Sequence, residues 1–255
     1  MWHTVLLIAA ILVISALNAS HTASPHNSAQ RLATYAFTIA LELALLAWSF
    51  LGLWLKKRPI RMLFGSNPLD LRSIALDFAI AALFWIGSLC VLGTLAVTWT
   101  ASEAVITHRP LIDAHGKPMP PTPSQQRALE TLKRLAPSNG EEIAAWFLLC
   151  LVAGFVEEAV FRGYLQQQFI AWFGRINRGH PRMPLACGVF FSALIFGAAH
   201  AYEGPRSMFL IGVFGALFSL LTLYRRSLRP GIIAHAAHDL ITGLTLSFLI
   251  AHHVL

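Results

Sequence analysis

Apolar stretches long enough to cross about 30 Å of hydrocarbon recur six or seven times along the chain, at approximately 2–18, 33–55, 74–99, 142–165, 184–201, 208–224 and 231–252. Backbone polar groups in lipid must be satisfied within their own segment, so these stretches predict helices. No period-2 barrel pattern competes. The expected fold is all-α, a polytopic transmembrane helix bundle of about seven spans, with the fifth and sixth short for full crossings. The first run, Thr4 to Leu17, has no Lys or Arg before it and no clean cleavage site after it. It reads as a retained span rather than a signal peptide.

A long connection, 101–141, separates the third and fourth spans. It is Pro-rich at Pro118, Pro120, Pro121 and Pro123. Beyond it, Ser124 to Ala136 puts Ala128, Leu129, Leu132 and Leu135 on one helical face, with Arg127, Glu130, Lys133 and Arg134 mostly elsewhere. That spacing predicts a short helix lying in the membrane interface before span four. Ser138-Asn139-Gly140-Glu141 reads as a capping box opening that span. Pro230 takes the first-turn position of the last one. The chain divides at this point into 1–141, with three spans and the Pro-rich loop, and 142–255, a second helix bundle.

Composition agrees with a membrane protein. Of 255 residues, 56% are hydrophobic and only 12% charged, where soluble proteins carry about 25% charged residues. The net charge of +7 does not indicate nucleic acid, because the Lys and Arg residues fall between apolar runs instead of on one soluble face. Lys56, Lys57, Arg58, Arg61 and Arg72 follow span two, Arg175, Arg178 and Arg182 follow span four, and Arg225, Arg226 and Arg229 follow span six. If the spans alternate, all three clusters share a side. The excess of basic residues places that side and the N-terminus in the cytoplasm of a plasma (inner) membrane. Cys90, Cys150 and Cys187 lie in apolar runs without paired spacing, so neither a disulfide framework nor a zinc ribbon is indicated.

Charged residues inside the spans carry the candidate chemistry. Glu157 and Glu158 are adjacent within Trp146 to Tyr164. An acidic side chain at the bilayer centre costs about 2.5–3.5 kcal/mol even on the lenient insertion scale. Glu158 and Arg162 are four apart and can pair on one helical face, whereas Glu157 points about 100° away. This division gives Glu158 to structure and leaves Glu157 free as a base; the alternative is a buried ion-pair cluster that fixes helix packing. His200 ends the fifth span in Phe196-Gly197-Ala198-Ala199-His200. There Phe196 taken alone is one apolar residue among others, and the small residues permit close helix approach. The last span holds His235, His238 and Asp239, with His235 and Asp239 on one face. Glu42 and Asp77 also lie in spans and receive no role, and His3, His252 and His253 at span ends read as interfacial. No His-Glu-x-x-His, Gly-x-Ser-x-Gly or phosphate-cradling loop is present.

Taken in order, Glu157-Glu158-Ala-Val-Phe-Arg162, Phe196-x-x-x-His200 and His235-x-x-x-Asp239 resemble the three signatures of the CPBP family, which includes type II CAAX prenyl endopeptidases and bacterial CAAX protease self-immunity proteins. The resemblance covers roughly 142–245. It implies a glutamate-dependent intramembrane endopeptidase acting on membrane-associated proteins or peptides in lipid. Glu157 would activate water together with His200, while His235 and Asp239 would steady the oxyanion. Glu158, Arg162, Phe196 and His238 would support them. Asn is commoner in the last place, and an ionised Asp would repel an oxyanion; Asp239 is therefore protonated or orients His235 instead. The favoured mechanism requires no cofactor, although Glu157, His200 and His235 could also hold Zn²⁺ with an open position for water.

Simple alternation of the spans places Glu157 and His235 in the cytoplasmic half and His200 nearer the opposite end, a depth mismatch on the order of 10 Å. The fifth helix is thus expected to start deeper, tilt or break. The sequence leaves two other function classes open. One is a non-catalytic membrane adaptor or immunity protein; the other is a proton- or cation-coupled transporter, for which Glu42 and Asp77 should matter as much as Glu157.

Overall fold

The computed structural model describes residues 2–20, 27–65, 68–112, 115–117, 119–176, 179–180 and 182–252. Pro118, Arg178 and His253 lie outside them. The described residues form helices α1 (Trp2–Ser20), α2 (Ser28–Leu55), α3 (Leu71–Ile106), α4 (Pro123–Leu135), α5 (Gly140–Glu157), α6 (Gln166–Ile176), α7 (Arg182–Ala199), α8 (Pro205–Arg225) and α9 (Arg229–Ala251), with no strand among them. Six rods are long and apolar enough to cross a membrane, and the helix over Trp2–Asn18 is a shorter apolar one. The protein is a multi-pass helical membrane bundle.

The fourth span differs most from expectation. It runs from Gly140 to Ile176 as one 37-residue rod, about 55 Å long at 1.5 Å per residue, and does not stop near 165. Its middle, Glu158–Leu165, is a π-helical segment joining α5 to α6. There the Gln166 N–H donates to the Phe161 carbonyl, five residues back. All eight residues of this segment are buried, with Tyr164 and Leu165 at 0% exposure in the main core beside Val156, Phe169 and Phe196. Wide turns of this kind recur inside helices at functional sites.

The start of α5 also shifts by one residue from the expected box. Asn139 is the N-cap and accepts from the Glu142 N–H at 3.0 Å. The Glu142 carboxylate reaches back to the Ser138 N–H at 2.7 Å and takes Arg31 of α2 at 2.9 Å. Glu142, not Glu141, is the acid with the reach to satisfy the orphan amides ahead of the helix, and a cap of this type contributes about 1 kcal/mol. The same contact ties α2 to α5 across residue 141, while the Tyr35 hydroxyl donates to the Leu135 carbonyl at the end of α4. The separate helix α4 has its own box, in which Thr122 and Gln125 cap each other. Pro230 lies in the first turn of α9 as the sequence suggests.

His3 packs inside the bundle. It is 3% exposed, stacks on Trp48 with ring centroids 4.8 Å apart and meets the Tyr164 hydroxyl at 3.2 Å, pinning α1 to the central rod. Asp77 is a structural latch. Its two oxygens take Arg225 at 2.6 Å and Arg229 at 2.7 Å, holding α3 to the α8–α9 turn. The basic connections gather at this end of the bundle, where Gly65 bridges Ser227 and Lys56 contacts Gln168.

Candidate active site

The long central rod removes the expected depth mismatch. Glu157 lies nineteen residues before Ile176, and His200 lies eighteen residues after Arg182 at the start of α7. The antiparallel α6–α7 hairpin therefore returns His200 to the level of Glu157. Successive contacts mark the alignment: Phe173 on Phe191 at 5.3 Å, Ser192 donating to the Phe161 carbonyl at 2.8 Å, and Phe161 edge-on to Phe196 at 4.9 Å.

Glu157, His200 and Asp239 line one cavity of about 720 Å³. Glu42 of α2 lines it too, a position left without a role in the sequence. The only signal there is an acid inside an apolar run, which by itself does not say which cavity the acid faces. Other walls come from α1, α4 and Trp146 and Cys150 of α5. His235 borders this site from behind. Its Nε2 is 3.5 Å from Glu157 Oε2 and 3.7 Å from Asp239 Oδ2.

The paired glutamates have different surroundings, as their 100° separation suggests. Glu158 is fully buried. Its Oε1 takes the Arg162 Nη1 at 3.0 Å and the His235 Nδ1 at 3.0 Å. Arg162, also fully buried, donates to the Gly215 carbonyl at 3.2 Å. Its guanidinium lies 4.2 Å from the Phe196 ring centroid and 5.1 Å from that of Phe218. Phe196 is thus more than apolar filling, because its face covers the buried cation, an arrangement that contributes about 2 kcal/mol when desolvated. Glu157, in contrast, is 15% exposed on its side chain; its Oε2, like that of Glu158, has no hydrogen-bond partner among the described residues.

Two tautomers follow from the partners. The His200 Nδ1 lies 3.0 Å from the Phe196 carbonyl, which can only accept, so Nδ1 carries hydrogen and a neutral His200 offers its Nε2 lone pair. The indole N–H of Trp85 can only donate, so the His238 Nδ1 at 3.2 Å accepts from it. His238 packs on Phe214, on the α3 and α8 side, and does not line the cavity with Glu157. His235 is oriented through Nδ1 by Glu158; Asp239 lies beyond hydrogen-bond distance from its Nε2.

Close backbone approach makes this geometry possible. A Cβ on Gly154 would come 2.8 Å from the Ala236 nitrogen, and one on Gly231 would come 3.0 Å from Glu158 Oε2. After α7 the chain turns through a short 3₁₀ segment, Ala201–Glu203. Its Tyr202 ring stacks on His200 at 6.0 Å. Burial pushes the Glu203 carboxyl above its ordinary range and the Tyr202 phenol well above its own.

Among the described residues no three His, Cys, Asp or Glu side chains are grouped closely enough to hold a metal ion.

No curated protein and no solved structure matches the chain. A family model does: residues 139–241 match type II CAAX prenyl endopeptidase Rce1-like. The matched segment begins at the N-cap of α5 and ends within α9, so the likeness to this CAAX-protease family covers all three polar clusters.

Proposed function

We propose that the protein hydrolyses peptide bonds of membrane-associated substrates with water activated by Glu157, in a CAAX-processing-like reaction. The observation that carries the proposal is that Glu157 Oε2 makes no hydrogen bond among the described residues and lies 3.5 Å from His235 Nε2, at a cavity that Glu157 shares with His200 and Asp239. Water held between Glu157 and the His200 Nε2 gives its proton to Glu157 as its oxygen attacks the scissile carbonyl. In its protonated form His235 presents Nε2–H to the developing oxyanion, its ring held by Glu158 and Arg162. Collapse of the tetrahedral intermediate breaks the C–N bond, and the proton on Glu157 passes to the leaving amine. A positioned base of this kind contributes about 10²–10⁴ in rate, and an oxyanion donor about 10²–10³. No step needs a metal. We further propose that the basic end and the N-terminus are cytoplasmic, in a plasma (inner) membrane.

Of the alternatives, the transporter reading needs Asp77 as a relay group, yet both its oxygens are held by arginines remote from the cavity. The adaptor reading leaves the aligned Glu157 and His200 with nothing to do. The test is cleavage of membrane-protein tails by the reconstituted protein, with new termini mapped by mass spectrometry. Wild type should cut, with or without a strong chelator, and Glu157→Gln should not. Cutting that persists in Glu157→Gln, or that a chelator abolishes and zinc restores, defeats the proposal.

A further inference from the structure

The cavity mouth and the basic connections occupy opposite ends of the bundle. The cavity walls come from the C-terminal half of α1 (Ser15, Asn18), the N-terminal half of α2 (Thr34, Thr38), α4 (Arg127, Thr131) and the turn after α7 (Ala201, Tyr202). Every one of these is remote from the basic stretches that follow α2, α6 and α8. Two kinds of edge border the mouth. Arg127 and Glu130 of α4 are exposed and charged, the edge that water reaches. Phe37 of α2 is 65% exposed and apolar, the edge that lipid reaches.

Towards the basic end the site is closed. Below Glu157 come the fully buried Glu158–Arg162 pair and then a layer made by Leu63, Tyr164, Leu165 and Leu228, each no more than 3% exposed. A second cavity of about 400 Å³ opens at that end and reaches Arg162, but Glu157, His200 and Asp239 are not among its walls. Basic residues flanking spans are retained on the cytoplasmic side. The accessible mouth therefore faces away from the cytoplasm.

We infer that this site takes peptide segments presented from the non-cytoplasmic side, namely the membrane-proximal or apolar tails of chains already carried across or into the membrane. The inference rests on the protease reading for its chemistry and on the charge asymmetry for its direction. Geometry adds a length requirement. Trp146 and Glu157, both on the cavity wall, are eleven residues apart on one helix, about 16 Å. An extended peptide covers that distance with about five residues, so the scissile bond lies about five residues or more from the point where the substrate leaves the interface.

Direction and chemistry can be tested separately. In a protein whose three cysteines are changed to alanine, single cysteines are placed at the mouth (Asn18→Cys, Glu130→Cys) and at the basic end (Arg58→Cys, Arg175→Cys), all exposed positions. A membrane-impermeant maleimide is applied to right-side-out and inside-out vesicles, with detergent-opened vesicles showing that each thiol is reactive. The mouth pair should label in right-side-out vesicles and the basic pair in inside-out ones. The reverse pattern, or both ends labelling from one side, overturns the inference. Two reporters then carry the same apolar tail on a single membrane anchor, facing outward or inward. Cleavage of the outward tail alone is expected, and cleavage of the inward tail alone overturns the inference. If neither tail is cut while the mouth thiols label from outside, the direction stands and the protease reading fails.

Discussion

Replacing each of the paired glutamates by glutamine should separate chemistry from architecture. Glu158→Gln removes the charge opposite Arg162 at a site where both side chains are fully buried and 3.0 Å apart. The Arg162 cation would keep only the Gly215 carbonyl and the Phe196 and Phe218 faces. Breaking a buried pair from one side costs about 3–5 kcal/mol, or on the order of 10 °C in thermal midpoint for a chain of this length. Activity should fall as well, because His235 loses the acceptor on its Nδ1. Glu157→Gln is different: the group is partly exposed and its Oε2 makes no hydrogen bond among the described residues. Its stability change should stay within about 0.5 kcal/mol, while turnover falls by about 10²–10⁴ or more. Thermal unfolding in detergent micelles and single-substrate cleavage assays read the two effects. The double variant Glu158→Gln with Arg162→Met leaves no buried charge unpaired and should recover much of the lost midpoint without recovering activity. Equal destabilisation by the two single variants, or no recovery in the double, would refute the division of roles.

Two further outcomes follow from close packing and from the turn after α7. Gly154→Ala would place a Cβ 2.8 Å from the Ala236 nitrogen, pushing α5 off α9 by several tenths of an ångström where Glu157 faces His235. Overpacking costs about 1–3 kcal/mol and misplacement of reacting groups by 1 Å costs about 10²-fold, so turnover should drop about 10–100-fold with helical content by circular dichroism unchanged; full activity in this variant would contradict the packing argument. Glu203 has its pKa raised chiefly by burial. An acid raised in the folded state contributes full stability below its unfolded pKa and loses it as pH rises through the folded one. Wild type should therefore lose stability as pH climbs past the ordinary carboxylate range, and Glu203→Gln should flatten that decline in melts taken from acid to neutral pH; identical pH profiles would show that Glu203 is not held in this way.

Much of this protein is legible from its sequence because lipid leaves few options. Apolar runs of spanning length must be helices, so the bundle, the separate helix at 123–135 and the common side of the basic connections follow from composition along the chain. The expense of charge in hydrocarbon likewise marks Glu157, Glu158, Arg162, His235 and Asp239 without any coordinates, and a four-residue spacing is enough to pair Glu158 with Arg162. Tertiary structure decided what local spacing cannot carry. Helix continuity past Leu165 depends on a π-helical segment and on packing of α6 against α7, and that continuity alone brings His200 level with Glu157. Which acid orients His235, which histidine turns away towards Trp85, and that Glu42 joins the cavity while Asp77 latches the far end are matters of distance between helices. Side chains far apart in sequence meet only where glycines such as Gly154 and Gly231 let the backbones approach.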